Sequence, residues 1–199
     1  PWFALSERNS PGSIIVNMAG KRFMNESMPY VEACHHMYGG QYGQGSGPGE
    51  NVPAWLIFDQ QYRDRYIFAG LQPGQRIPKK WMESGVIVTA GTIEELAQKT
   101  GLPEADFLAT VERFNGFCES GVDEDFGRGG DEYDTFFAGG EGPNKALTPC
   151  TQAPFYAARF VLSDLGTKGG LVTDEHGRVL RPDGSHIAGL YAAGNSAAS

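Results

Sequence analysis

The 199 residues carry 24 acidic and 16 basic side chains for a net charge of −8, and 40% of them are hydrophobic. That balance disfavours nucleic acid as a partner, and none is expected. No apolar run approaches the roughly 18 residues of a membrane helix, so no membrane span is expected either. Cys34, Cys118 and Cys150 are odd in number, far apart and free of any Cys-x-x-Cys pattern. They argue against a disulfide framework or a zinc site and fit a reducing cytoplasm. The length suits one full domain, or one domain plus part of another. The start at Pro1, with no signal-peptide pattern, reads as a piece of a longer polypeptide.

Residues 13–18 and 21–26, joined by Ala19-Gly20, predict a β-hairpin. Residues 30–38 predict a short helix behind Pro29, where a helix start tolerates proline. Residues 39–49 are too rich in glycine for the interior of an element and predict a loop. A strand is expected over 54–58, a short helix over 59–66, a helical turn over 79–83 and a strand over 86–89. Thr92-Ile93-Glu94-Glu95 predicts a capping box, with Thr92 as N-cap and Glu95 reaching back to it. A longer helix starts at Pro103 and ends near Gly121, with Phe107, Leu108, Val111 and Phe114 as its core stripe. The acidic, glycine-rich stretch 121–144 predicts an exposed, solvated loop. Residues 155–162 predict a strand.

The last thirty residues are the most informative. Gly169-Gly170-Leu171-Val172-Thr173-Asp174 and Gly177-Arg178-Val179-Leu180 predict a hairpin around a charged turn. Gly189-Leu190-Tyr191 then runs into the small-residue turn Ala192-Ala193-Gly194-Asn195, where a backbone can approach something closely. Strands and short helices mix without a regular βαβ repeat, so the fold class is α+β. A boundary near 162–169 divides a first domain, 1–162, from a partial segment, 163–199.

This C-terminal block resembles the flavin-contact segment of the fumarate reductase/succinate dehydrogenase flavoprotein superfamily. Ile15-Val16-Asn17-Met18-Ala19-Gly20-Lys21-Arg22-Phe23-Met24-Asn25-Glu26 and Gly121-Val122-Asp123-Glu124-Asp125-Phe126-Gly127-Arg128 look like landmarks of the same superfamily. Three longer matches narrow the resemblance to bacterial 3-ketosteroid Δ1-dehydrogenases. They are Asn25-Glu26-Ser27-Met28-Pro29-Tyr30, the run from Tyr62 to Gly74, and Asp164-Leu165-Gly166-Thr167-Lys168-Gly169-Gly170. The stretch 42–51 adds to them.

The resemblance implies a catalytic, substrate-binding domain over 1–162 and the start of the return into a Rossmann-like FAD domain over 163–199. It implies FAD as cofactor and a small-molecule steroid as substrate. In the reaction a base takes the C2 proton and the C1 hydrogen leaves as hydride for the flavin. Tyr30 is the implied base, standing where fumarate reductases place a proton-transfer arginine. A neutral phenol suits a flat apolar steroid, whereas a cationic arginine suits dicarboxylates. From residue type alone, Tyr30 reads equally as a helix-start tyrosine packing its ring. Gly194, Asn195 and Ser196 are implied flavin contacts, with an ordinary strand-ending turn as the alternative. Gly169 and Gly170, with Gly166, either let a loop approach flavin or substrate or merely shape a turn.

No Gly-x-Gly-x-x-Gly fingerprint is present, and the resemblance places other catalytic groups outside these residues. The chain alone is therefore expected to be inactive and to lack FAD, and its C-terminal strands could support an oligomer. Two rival readings stand: another fumarate reductase-like flavoprotein, and a stand-alone binding or interaction module. Cys34-His35-His36 and Asp123-Glu124-Asp125 are not expected to bind metal, because their spacings chelate poorly. Trp55, Phe58, Tyr62, Tyr66 and Phe68 are expected to serve mostly as core, with a steroid pocket as their other reading.

Overall fold

A computed structural model describes residues 4–39, 51–136, 138–163, 166 and 169–198. The predicted glycine-rich loop at 40–49 and the match at 42–50 lie outside the described residues, as do positions 164, 165, 167 and 168. The chain divides into two compact units, Pro1–Leu162 and Ser163–Ser199.

The first unit is built on a four-stranded antiparallel sheet of β1 (Ser13–Val16), β2 (Ala54–Asp59), β3 (Ile87–Ala90) and β4 (Phe155–Phe160), in the order β1-β2-β4-β3. β2 lies between β1 and β4, and all six of its residues are buried. Its side chains alternate between the two faces of the sheet, as the two-residue period of a strand requires. Trp55 and Ile57 join Ile14, Val16, Phe155 and Ala157 on one face, against Leu96 of α4 (Ile93–Thr100) and Phe107, Val111 and Phe114 of α5 (Glu104–Ser120). Leu56 and Phe58 join Ile15 on the other, against Ala33 and Met37 of α1 (Tyr30–Tyr38) and Tyr62 of α2 (Gln60–Arg65). Two short helices, α3 (Lys79–Glu83) and α6 (Glu132–Thr135), complete this unit.

Local signals set several of these boundaries. Asp59 caps α2 by accepting the Tyr62 amide at 3.1 Å, and Thr92 caps α4 by accepting the Glu95 amide at 3.1 Å. Glu95 reaches back as expected: its carboxylate accepts the Gly91 amide at 2.7 Å and also interacts with the Thr92 backbone N–H. Gly20 turns the chain at φ +73°, and a Cβ there would sit 3.1 Å from the Phe107 backbone, so this turn packs directly on α5. Of the expected α5 stripe, Phe107, Val111 and Phe114 are buried, while Leu108 is half-buried. Trp55, Phe58, Tyr62 and Phe68 are core residues. Phe58 makes ring contacts with Tyr62, Phe68 and Tyr156 at 4.8–5.3 Å between centroids.

One expectation fails here and another holds only in part, for related reasons. Residues 21–26 form no strand; only Arg22 bridges back to Val16, and β1 pairs with β2 instead. The stretch 121–144 is largely exposed, as expected, but it is more than a solvated loop. It buries Asp123, Arg128 and Asp134 at 4%, 1% and 4% exposure and carries α6. Both departures follow from an ion cluster that draws Arg22 and Glu26 inward from one segment and Asp123 and Arg128 from the other.

The second unit is an antiparallel pair, β5 (Arg178–Leu180) and β6 (His186–Tyr191). The preceding charged turn is held by Asp174, which accepts the amides of His176 and Arg178 at 3.0 and 2.9 Å. Thr173 bridges antiparallel to Val179, and Leu171 bridges parallel to Ala197. All pairing within the two sheets is antiparallel, as an α+β fold requires.

Candidate active site

Tyr30 is the first residue of α1. The residue is 41% exposed, so it belongs to the surface and not to the packed interior. Pro29 precedes it at φ −51° and ψ 140°, an extended geometry that delivers the chain into the helix. Every residue of the turn before Pro29, from Asn25 to Met28, is tied down by a hydrogen bond. Asn25 accepts the Ser27 amide at 2.8 Å and donates to Asp134 at 2.7 Å. The Met28 amide donates to the Asn25 carbonyl at 3.2 Å. Arg8 donates through one guanidinium nitrogen to the Glu26 carbonyl and through the other to the Met28 carbonyl, the latter at 2.6 Å.

Beneath this turn lies the ion cluster. Glu26 is fully buried; it accepts the Ile15 amide at 3.1 Å, two bonds from Arg22 at 2.9 and 2.8 Å, and one from Arg128 at 3.3 Å. Arg22 also grips Asp123 through two bonds of 3.1 and 2.8 Å. Its guanidinium lies between the rings of Phe114 and Phe126, 5.2 and 5.1 Å from their centroids. Arg128 crosses back to the carbonyls of Ser13, Asn9 and Ser10 at 2.7–3.2 Å.

Burial alone would raise the Glu26 carboxyl. Arg22, Arg128 and the Ile15 amide reverse that and hold it below the usual carboxylate range. Asp123 behaves in the same way, burial opposing and Arg22 prevailing. Burial pushes Arg8 and Arg128 down, whereas Arg22, bonded to both carboxylates, is held above its ordinary value against the burial that would lower it. The arrangement is a charged, desolvated platform whose two acids stay ionised, and the Tyr30 turn rests on it. Sequence reading missed this set. The available signal was two acid–base pairs at short spacing, Arg22 with Glu26 and Asp123 with Arg128, inside the two landmark segments.

The flavin candidates lie in the second unit. Gly194–Ser196 form an exposed 3-10 turn, and Gly194 sits at φ +58° with open space where a Cβ would be. Among the described residues, no protein oxygen takes the amide hydrogens of Gly194 or Asn195. Gly170 is glycine for a local reason: a Cβ there would fall 2.5 Å from the Ser196 carbonyl oxygen. The neighbouring Leu171 amide donates to that same oxygen at 3.0 Å. Gly169 faces open space, and a Cβ on Gly166 would meet the Asn195 side chain at 2.8 Å. An exposed turn of small residues lets a flat ring approach its backbone closely, so these residues suit FAD. A separate open depression of about 470 Å³ is lined by Gly121, Gly129, Asn144 and Lys145, among others, and does not include Tyr30.

The chain belongs to the FAD binding domain family, whose sequence profile matches residues 3–199. It is 74% identical to a 3-oxosteroid 1-dehydrogenase of Mycolicibacterium smegmatis over 98% of this chain and 34% of that protein. Its structure resembles a crystal structure of 3-ketosteroid Δ1-dehydrogenase from Sterolibacterium denitrificans in complex with 1,4-androstadiene-3,17-dione. The TM-score is 0.85 at 40% identity, over 98% of this chain and 35% of the other. It also resembles the open conformation of a flavocytochrome c3 fumarate reductase, with a TM-score of 0.66 at 26% identity, over 98% of this chain and 29% of the other. The chain thus spans about a third of the length of these proteins.

Proposed function

We propose that this chain is the substrate-binding part of a flavoprotein that introduces a C1=C2 double bond into 3-ketosteroids. Residues 1–162 are then its catalytic domain and 163–199 a C-terminal piece of its FAD domain. The observation that carries the reading is the phenol of Tyr30, half-exposed on a rigidly held turn, in a chain so similar to a 3-oxosteroid 1-dehydrogenase. The C3 ketone acidifies the C2 hydrogen, and Tyr30, as the phenolate left once its hydroxyl proton has passed to a neighbouring group, takes that hydrogen as a proton and becomes the phenol. The C2–H electron pair becomes the new π bond as the C1 hydrogen departs with its own pair. FAD, when bound, supplies the two-electron acceptor for that hydrogen. Gly194, Asn195 and Ser196, with Gly169 and Gly170 beside them, are the residues that would hold it.

A phenolic side chain carries no positive charge, so in place of an arginine it favours a flat apolar ketone over a dicarboxylate, which needs a fixed cation. Other groups of the site lie beyond these residues, so the chain alone is inactive. The odd number and wide spacing of the three cysteines fit a reducing cytoplasm. The test is dye-coupled oxidation of a 3-ketosteroid by the complete polypeptide, alongside reduction of an unsaturated dicarboxylate. Turnover of the steroid alone is expected. Turnover of the dicarboxylate alone would overturn the reading.

A further inference from the structure

We propose that Arg8 is a positioning residue for Tyr30, with Asp134 holding the same turn through Asn25. The inference rests on the reading of Tyr30 as base. Arg22 and Arg128 reach the Glu26 carboxylate, but the two bonds of Arg8 go to the main chain, at the carbonyls of Glu26 and Met28. These carbonyls lie four and two residues before Tyr30. Only Pro29, whose φ is fixed by its ring, separates the second from the tyrosine. Arg8 is 3% exposed, so water does not compete for these bonds. A planar guanidinium spans two carbonyls at once in one orientation, whereas a lysine ammonium on a flexible stem does not reproduce the fork. From the other side, the Asp134 carboxylate accepts from Asn25 at 2.7 Å and from the Gly129 amide at 2.8 Å. The segment around α6 thereby becomes a second hold. Misplacing a reacting group by about 1 Å can cost about a hundredfold in rate, so a loosened turn should show in proton abstraction before it shows in binding.

The experiment uses the complete, flavin-loaded polypeptide with Arg8→Lys, Asp134→Asn and Tyr30→Phe in parallel. Rates are normalised to bound flavin, and deuterium uptake at C2 of a 3-ketosteroid is followed by mass spectrometry. Arg8→Lys is expected to lower kcat per flavin about tenfold or more, with KM within about threefold and C2 exchange falling in step. Asp134→Asn is expected to change both in the same direction by a smaller factor. A purely structural role would lower yield or Tm while leaving kcat per flavin and C2 exchange at wild-type values, and that result overturns the proposal. If Arg8→Lys does not load flavin, Asp134→Asn decides: unchanged C2 exchange there is equally fatal. Full activity in Tyr30→Phe would instead remove the base assignment itself. Loss in Tyr30→Phe with wild-type rates in the other two variants would remove only the positioning role.

Discussion

Arg22 and Asp123, 101 residues apart in sequence, meet through two hydrogen bonds of 3.1 and 2.8 Å in a buried setting. The contact joins the segment leading to Tyr30 to the segment beyond α5. Removing one partner of a buried pair leaves the other charge uncompensated and typically costs about 3–5 kcal/mol. Asp123→Asn is therefore expected to destabilise the chain by roughly that amount, read from urea unfolding. A loss below about 1 kcal/mol would mean the pair is solvated in solution.

The same cluster sets a pH dependence. Glu26 and Asp123 are held below their ordinary values of 4.5 and 3.8. A depressed folded pKa gives stability that is complete above the unfolded value and lost as pH falls through the folded one. Tm should accordingly fall on acidification below about pH 4, and Asp123→Asn should flatten that slope in circular dichroism melts. Equal slopes in both proteins would argue against the assignment.

Tyr62 contrasts with Tyr30. Burial pushes its phenol well up, and its hydroxyl donates to the Glu7 carbonyl at 2.7 Å. Tyr62→Phe is expected to cost about 1 kcal/mol of stability and to leave turnover per flavin in the complete polypeptide unchanged. A tenfold fall in turnover would show that the core tyrosine takes part in the chemistry.

Gly170→Ala forces a Cβ to 2.5 Å from the Ser196 carbonyl oxygen. Relieving that overlap must break the bonds Leu171 and Ala198 make between the two segments, 3.0 and 2.9 Å long. Faster amide exchange at Leu171 and Ala198 is expected, with weaker flavin retention in the complete polypeptide. Wild-type exchange at both amides would show that the backbone accommodates the methyl group.

The chain by itself presents Leu190 and Tyr191 at 40% and 65% exposure on β6, and among the described residues β6 pairs only with β5. Such an edge invites pairing with another copy. Light scattering is expected to give a mass that rises with concentration; a constant monomer mass would contradict this.

Elements encoded by short windows were legible in the sequence. The helix at 30–38, the capped start at Thr92 and the end of α5 at Gly121 each rest on residues within a few positions of one another. The α+β class followed from the mixed order of elements. The ion cluster was not legible, because Asp123 is buried only by virtue of a partner a hundred residues away. An acidic, glycine-rich window reads as solvated to any local argument. The strand expected over 21–26 was lost to the same cause: Arg22 and Glu26 have the spacing of a surface pair, yet both turn inward. For Gly170 two readings stood open, approach to flavin or substrate and simple turn geometry, and in the structure its missing Cβ makes room for the chain's own Ser196 carbonyl.

The most direct measurement is C2 deuterium uptake by a 3-ketosteroid on the complete flavoprotein, comparing wild type with Tyr30→Phe under matched flavin loading. The account predicts that the variant binds the steroid with near wild-type affinity, while C2 exchange and kcat both fall by about a hundredfold or more. Wild-type exchange in Tyr30→Phe would contradict it.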